Sequence, residues 1–243
     1  MIITGGGTGI GRATALRFAG KGERVLVVGR TAAALDEAAE GHDNIRTLVA
    51  DITAPGAGEE VVEAALREFG RIDVLVNNAG TGTFAPLAKL DRAATERQYA
   101  TNVIAPTFLA QAALDALEET GGTIVNVSSA GSLGIQAFPD NSVYWSTKSA
   151  LNHLTRTWAV ELAPRGIRVV SVAPGVTDTG IGERIGMSAE QYREFLGQLA
   201  GQIPLGRVAS PDDVAWWITT LSDPEGRYMT GAIVPVDGGL SLT

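Results

Sequence analysis

Met1-Ile2-Ile3-Thr4-Gly5-Gly6-Gly7-Thr8-Gly9-Ile10-Gly11 is the stretch whose reading decides the fold. A short apolar segment runs straight into a glycine turn. Arg12–Ala19 then carries apolar residues at helical spacing (Ala15, Leu16, Ala19) before Gly20 and Gly22. This is strand, turn, helix. Glycines at such a turn let backbone N–H groups approach a pyrophosphate at the positive end of the helix. The spacing, Thr4-Gly5-x-x-x-Gly9-x-Gly11, is a variant of the usual dinucleotide fingerprint with a longer gap after the first glycine.

The same alternation continues outward. Val25–Val28 reads as a buried strand, and Thr31–Glu40 as a helix with Thr31 at its N-cap. Ile45–Ala50 is a third strand ending at Asp51, Gly58–Phe69 a helix, and Ile72–Val76 an all-apolar fourth strand ending at Asn77-Asn78-Ala79-Gly80. A long helix from Ala93 to Leu117 precedes strand Thr123–Val127, a helix holding Tyr144 and Lys148, and strand Arg168–Val172. Ser210-Pro211-Asp212-Asp213 starts a further helix, and Ala232–Val236 is the last strand, closed by Asp237-Gly238-Gly239. Short apolar strands alternating with helices predict an α/β fold: a doubly wound, mostly parallel seven-stranded sheet with helices on both faces. No linker or shift in composition divides the chain, so residues 1–243 are expected to form one dinucleotide-binding domain.

The alternation lapses once, over Pro174–Val208. Within it Ser188-Ala189-Glu190-Gln191 has the pattern of a capping box, and Tyr192, Phe195, Leu196 and Leu199 make one apolar helical face. An excursion of this length at the carboxyl end of a strand is expected to be a substrate lid, at about residues 176–207.

Composition excludes several classes. The formal charge of −8, with basic residues scattered, argues against nucleic acid. The absence of cysteine removes disulfides and thiolate chemistry and fits a reducing cytoplasm. His42 and His153 stand far apart with no metal-ligand spacing, so no metal is expected, and a Ser-His-Asp hydrolase is improbable. The N-terminus has no signal-peptide pattern and no segment reads as a membrane span, so a cytoplasmic location is expected.

Tyr144-Trp145-Ser146-Thr147-Lys148 carries the chemistry. On a helix, residues four apart lie on one face. An ammonium beside a phenol favours the phenolate, which is expected to draw the tyrosine down from its ordinary pKa of about 10 toward neutrality. Such a group suits general acid/base work near pH 7.

Together these features resemble the short-chain dehydrogenase/reductase family, single-domain type with Tyr-x-x-x-Lys, including 3-oxoacyl carrier-protein reductases. The residues that carry the likeness run in order: the glycine turn, Asp51-Ile52, Asn77-Asn78-Ala79-Gly80, Asn102, Asn126-Val127-Ser128-Ser129, Tyr144 with Lys148, Pro174-Gly175 and Val236-Asp237-Gly238-Gly239. The resemblance implies that Tyr144 exchanges a proton with the substrate oxygen. Lys148 would lower its pKa and hold the nicotinamide ribose, and Ser129 would hydrogen-bond the reacting group. Asn102 would kink the long helix and hold a water that connects Lys148 to solvent. It also implies a homotetramer, or a homodimer, built through the helix around Asn102, the Tyr144 helix and the C-terminal strand.

This sequence departs from the pattern in places. Members commonly place the serine two residues closer to the tyrosine than the 15 that separate Ser129 from Tyr144 here. We keep Ser129, with an insertion within Gln136–Ser142, and Ser132 as its competitor. Val170 stands where the family often has asparagine, and the first strand is short at its N-terminus.

An NAD-preferring site needs a carboxylate at the end of the second strand. Gly29 stands there, followed by Arg30 and Thr31. Arg30 can pair with a 2′-phosphate, so NADP(H) is expected as the preferred cofactor, with NAD(H) possible. The expected cofactor contacts are Gly5, Thr8, Gly9, Ile10, Gly11, Arg30, Thr31, Asp51, Ile52, Asn78, Ala79, Gly80, Tyr144, Lys148, Pro174, Gly175, Thr177 and Thr179. The expected reaction interconverts a small-molecule carbonyl and a secondary alcohol. An NAD-dependent alcohol oxidant, or a dinucleotide-binding regulator without turnover, are the alternatives. Phe138, Pro139, Trp145, Ile181, Ile185, Met187, Tyr192 and Phe195 are expected to make an apolar substrate wall.

Overall fold

Apolar runs too short to bury themselves must pair side by side, and seven of them do so in one sheet. A computed structural model describes the chain apart from residues 134–136, 138 and 185 and the side chains of 183 and 184. The strands are β1 (Ile2–Thr4), β2 (Val25–Gly29), β3 (Ile45–Val49), β4 (Val74–Asn77), β5 (Thr123–Val127), β6 (Arg168–Pro174) and β7 (Ile233–Val236). All neighbours are parallel, in the order β3-β2-β1-β4-β5-β6-β7. The order reverses between β1 and β4, which opens a crevice at the carboxyl ends of those strands.

Strand side chains alternate between faces, and the register keeps the alternation aligned. Ile2 lies beside Leu26 and Leu75, while Ile3 lies beside Val27 and Val76. The first set, with Ile124 and Val169, is buried under α3 (Ala57–Phe69), α5 (Ala105–Thr120) and α6 (Ser142–Leu162). The second set, with Val125 and Val170, is buried under α1 (Gly9–Gly20), α2 (Ala32–Ala39) and α9 (Pro211–Ser222). Val170 thus serves the core.

The short β1 is central rather than at an edge. Its carboxyl end is reinforced by side chains: Thr4 Oγ1 accepts from the N–H groups of Asn78 (3.1 Å) and Ala79 (3.0 Å), and Asn78 Nδ2 donates to the Thr4 carbonyl at 2.8 Å. The helix that follows starts at Gly9, inside the glycine turn, rather than at Arg12.

The expected helix over 93–117 is broken. α4 (Arg92–Tyr99) passes into a wide π-type turn, Ala100–Ile104, and resumes as α5. The Ala105 N–H bonds five residues back, to the Ala100 carbonyl. Pro106 has no N–H to give the Asn102 carbonyl four residues before it, so the regular ladder cannot pass this point.

Past β6, an isolated bridge between Thr177 and Ala209 closes the neck of the excursion, with the Asp178 N–H donating to the Ala209 carbonyl at 2.8 Å. Beyond the neck come α7 (Ile181–Arg184) and α8 (Ala189–Ala200). Ser188 with Gln191, and Ser210 with Asp213, form capping boxes at the starts of α8 and α9. Thr31 stands at the N-cap position of α2 but makes no side-chain capping bond. Among the described residues no helix is long and apolar enough to cross a membrane.

Candidate active site

Two cavities open at the carboxyl ends of the strands. The first, of about 390 Å³, is lined by residues that directly follow β1 to β4: Gly5, Gly7 and Thr8; Arg30 and Thr31; Asp51 and Ile52; Ala79 and Gly80. The second, of about 340 Å³, is lined by residues at and beyond the carboxyl ends of β5 and β6, among them Ser129, Pro174 and Gly175, together with Tyr144 of α6. Ile181 belongs to both walls, so the cavities adjoin there.

The glycine turn is shaped by close packing. A Cβ on Gly11 would lie 2.2 Å from the Gly5 carbonyl oxygen and 2.5 Å from Asn78 Nδ2. Gly5 itself has φ +64, the left-handed region that glycine adopts without strain. Thr8 caps α1 without a side-chain bond, and the first turn holds no acidic residue. The N-terminal N–H groups therefore have no competing carboxylate beside them.

Of the expected cofactor contacts, Gly9, Ile10 and Gly11 do not line this cavity. Ile10 packs against the core, and Gly9 is backed by Thr179, whose Cβ would stand 3.0 Å from a Cβ on Gly9. Asn78 is turned to β1, as described. Thr177 donates its hydroxyl to the Gly175 carbonyl. Asp51 accepts from the N–H and hydroxyl of Thr53, which hold its carboxyl below the usual range; the Arg30 charge adds to this. Arg30 is exposed and makes no salt bridge among the described residues.

Lys148 is 3% exposed; its ammonium donates to the Val127 carbonyl at 2.8 Å and lies 5.9 Å from the centre of the Tyr144 ring. Gly80 makes room for it, since a Cβ there would stand 3.2 Å from Lys148 Nζ. Asn102, buried in the π-type turn, donates to the Thr81 carbonyl and to Thr147 Oγ1 and accepts from the Thr81 N–H. It thereby joins the broken helix, the loop after β4 and the Tyr144 helix.

The expected downward shift of Tyr144 is overturned. Burial pushes its phenol up to about 12, and burial likewise lowers Lys148 to about 8. The lysine is close enough to attract a phenolate, but removing the phenolate from water outweighs that attraction in the chain alone.

Ser129 and Ser132 separate clearly. Ser129 lines the second cavity with Tyr144. Ser132 is buried beneath it, donating to the Ser129 carbonyl and accepting from Asn152 Nδ2. The substrate wall is partly as expected: Trp145 and Ile181 line it, joined by Phe84, Asn141, Leu240 and Ser241, which the sequence reading did not single out. Phe84 packs edge-on against the Tyr144 ring, centres 5.5 Å apart. Leu240 and Ser241 directly follow the Asp237-Gly238-Gly239 motif, the one signal that pointed to them. Met187 and Phe195 do not reach this wall; they line a separate cleft with Gly186 and Glu194. Tyr192 is buried, its hydroxyl donating to Asp178 Oδ1 at 2.9 Å and its ring seated where Gly182 lacks a side chain. Pro139 is not part of the wall; its carbonyl accepts from Asn141 Nδ2. Phe138 and Ile185 lie outside the described residues.

Comparison with known proteins agrees with this geometry. The family described as enoyl-(acyl carrier protein) reductase matches residues 5–241. A 3-oxoacyl-(acyl-carrier-protein) reductase of Thermotoga maritima is 36% identical over 246 residues, covering 99% of this chain and 97% of that protein. L-xylulose reductase of Bos taurus is 36% identical over 244 residues, covering 100% and 96%. A short-chain dehydrogenase/reductase of Caenorhabditis elegans, solved with cofactor, superposes with a TM-score of 0.93 at 35% identity, covering 100% of this chain and 94% of that one. A glycine-turn cavity meeting a second cavity lined by a Ser and a Tyr, with a buried Lys near the Tyr ring, within a sheet of this order and with these likenesses, places the chain in the short-chain dehydrogenase/reductase family, oxidoreductases that act on CH–OH groups with a nicotinamide dinucleotide.

Proposed function

We propose that this chain interconverts a carbonyl and a secondary alcohol, prefers NADP(H), and uses Tyr144 as its general acid/base. The observation that carries the reading is that Tyr144 and Ser129 share one cavity with Lys148 beneath them, next to the glycine-turn cavity.

The residues of the first cavity fit a dinucleotide. Gly5, Gly7 and Thr8 offer backbone at a helix N-terminus free of acid, which suits a pyrophosphate, and Asp51 offers an ionised carboxylate for an adenine amino group. No carboxylate stands at Gly29, and the exposed Arg30 suits a 2′-phosphate. Thr179 and Thr177 at the neck of the excursion, with Pro174 and Gly175, would hold the nicotinamide end. Bound there, the dinucleotide supplies or takes up hydride. The chain does the rest. Ser129 Oγ donates to the carbonyl oxygen and polarises it. Tyr144 gives that oxygen a proton in reduction and takes it back in oxidation. The Lys148 charge favours the phenolate left behind, and Asn102 with Thr147 fixes where Tyr144 stands.

Residues 176–207 act as a lid, hinged at the Thr177–Ala209 bridge. Large apolar side chains exposed in the single chain, among them Tyr99, Ile104, Phe108 and Val160 and, later in the chain, Trp216, Trp217, Tyr228 and Met229, support a homotetramer. Relatives named for the reduction of a 3-oxoacyl-(acyl-carrier-protein) and of L-xylulose keep the substrate among carbonyl compounds and their alcohols.

Binding of NADPH against NADH, with Arg30→Ala alongside, tests the cofactor. We expect NADPH to bind at least about tenfold tighter and the variant to lose that preference. Equal or tighter binding of NADH would favour the NAD-dependent alcohol oxidant instead. Tyr144→Phe is expected to lower kcat by about 100-fold or more with dinucleotide binding retained. Full activity in that variant would remove Tyr144 from the mechanism.

A further inference from the structure

Residues 78–86, which follow β4, form no helix or strand, so no regular ladder holds their backbone. Three ties to other elements do. Asn102 exchanges two bonds with Thr81. The Ala85 N–H donates to the Asp140 carbonyl at 3.0 Å, and Asp140 has φ +66, the left-handed region that is uncommon outside glycine. Between these two, Gln98 of α4 donates from Nε2 to the Thr83 carbonyl at 3.0 Å.

Gln98 is 2% exposed, and its Oε1 meets no donor among the described residues. Thr83 is exposed, so its carbonyl could be satisfied by water without Gln98. A buried amide with one end unpaired and the other spent on such a carbonyl adds little to stability. What it fixes is the position of the loop.

That loop folds Phe84 back over Gly82. A Cβ at Gly82 would lie 2.9 Å from Phe84 Cζ and 3.3 Å from Tyr144 Cδ2, so the absence of a side chain there lets the two rings meet. Phe84 is edge-on to Tyr144 and still 58% exposed, and it lines the second cavity with Trp145, Val176, Ile181 and Leu240. Two further polar side chains on the described wall are engaged by the protein: the Ser241 hydroxyl bonds the Asp237 carboxylate, and Asn141 Nδ2 donates to the Pro139 carbonyl. An apolar group laid on Phe84 would remove apolar surface from water on both sides. A hydroxylated group in the same place would lose hydration with little to replace it.

We propose that Phe84 selects the substrate by seating an apolar substituent beside Tyr144, and that Gln98 is the positioning residue that holds Phe84 there. The substrate class is a ketone or secondary alcohol with a cyclic or branched apolar group next to the reacting carbon. The assignment rests on the oxidoreductase reading and adds to it the substrate class and the residues that select it.

The test compares 1-cyclohexylethanone with 2-butanone, two alkyl methyl ketones that differ in the bulk of one substituent, in the full chain with its dinucleotide. The expected result is a kcat/KM ratio of about tenfold or more in favour of the cyclohexyl ketone. Phe84→Ala should bring that ratio to within about twofold. Gln98→Met, which keeps the bulk and removes the amide, should lower the ratio by about threefold or more without lowering Tm. In the Phe84→Ala background the same change should have no further effect on the ratio, because Gln98 acts through Phe84. A ratio unchanged by Phe84→Ala, or a native preference for 2-butanone, overturns the selection by Phe84. A Gln98→Met variant that loses activity on both ketones equally, or equally in both backgrounds, overturns the positioning role. Turnover of no ketone at all refutes the oxidoreductase reading separately. Ligand-observed NMR titration of the dinucleotide-loaded chain then still decides: tighter binding of the cyclohexyl ketone that Phe84→Ala abolishes supports the proposal, and equal binding of the two ketones overturns it.

Discussion

The Lys148 ammonium stands 5.9 Å from the centre of the Tyr144 ring and is fixed there by a 2.8 Å bond to the Val127 carbonyl. Burial lowers this lysine from 10.5 to about 8, so at pH 7 it remains charged inside the protein. Between those two pH values the unfolded chain holds a proton that the folded chain lacks. Stability contributed by this site therefore rises as pH climbs from about 8 to 10.5, and below 8 a constant penalty of about 3 kcal/mol remains. Lys148→Met should accordingly be more stable than the native chain at pH 7, by up to about that amount. The gap should narrow as the pH is raised from about 8 toward 10 in urea unfolding. A less stable variant at pH 7 would show that the Val127 bond outweighs the burial.

Tyr144 gives a second pH signature of opposite direction. Its phenol is pushed up from 10.0 to about 12, so between those values the folded chain keeps a proton that the unfolded chain loses, and this site loses stability as pH rises through them. Without dinucleotide, the tyrosinate absorbance of the native chain and of Tyr144→Phe should coincide up to about pH 10.5, because Tyr144 has not yet ionised. Adding the oxidised dinucleotide, a cation at its nicotinamide ring, should bring a difference out at lower pH. A difference already present near pH 9 in the bare chain would contradict the burial argument.

The fold was legible because β1, the glycine turn and α1 are consecutive, and strand–helix alternation is a local signal. The Tyr144–Lys148 pair was legible for the same reason: a helix brings residues four apart together. The direction of the tyrosine shift was not, since it depends on how much water the fold removes, which spacing cannot show. Phe84 and Leu240 meet the same cavity from positions far apart in the chain, and no periodicity marks that meeting. Phe195 was misread for a related reason. The apolar face of α8 buries Tyr192 against Gly182 and leaves Phe195 on a different cleft. The break at Asn102 was expected only through the family resemblance; its one local sign was Pro106, which the helical pattern around it masked.

Gly11 and Gly20, at the two ends of α1, should respond to alanine in opposite directions. A Cβ at Gly11 overlaps the Gly5 carbonyl and Asn78 Nδ2, forcing apart the turn that Asn78 ties to β1. A Cβ at Gly20 meets nothing within 4 Å, and Gly20 is helical. Gly11→Ala is expected to cost about 1–3 kcal/mol and to weaken dinucleotide binding by more than about tenfold. Gly20→Ala should stabilise by about 0.4–1 kcal/mol through the unfolded chain and leave binding alone. Thermal unfolding with and without NADPH reads both. Unaltered binding in Gly11→Ala would mean that the turn can relax.

Asn152 joins the two halves of the site. It lies two turns beyond Tyr144 on the same face of α6 and is buried. Its Nδ2 donates to Ser132 Oγ at 2.8 Å, and Ser132 in turn donates to the carbonyl of Ser129. On its other side, Oδ1 lies 3.3 Å from Ser171 Oγ, which is also 3.1 Å from Ser128 Oγ. One amide thus spaces the Tyr144 helix from the turn that carries Ser129, using groups with no access to water. Asn152→Ala would leave Ser132 without its donor, at a cost of about 1–3 kcal/mol. The Ser129 turn would then be free to shift relative to Tyr144. We expect kcat to fall by about tenfold while the dinucleotide Kd is unchanged, because no residue of this network lines the glycine-turn cavity. A stability loss with kcat preserved would show that the Ser129–Tyr144 spacing is held by the strands alone, since β5 and α6 would then keep the two residues in place without the amide between them.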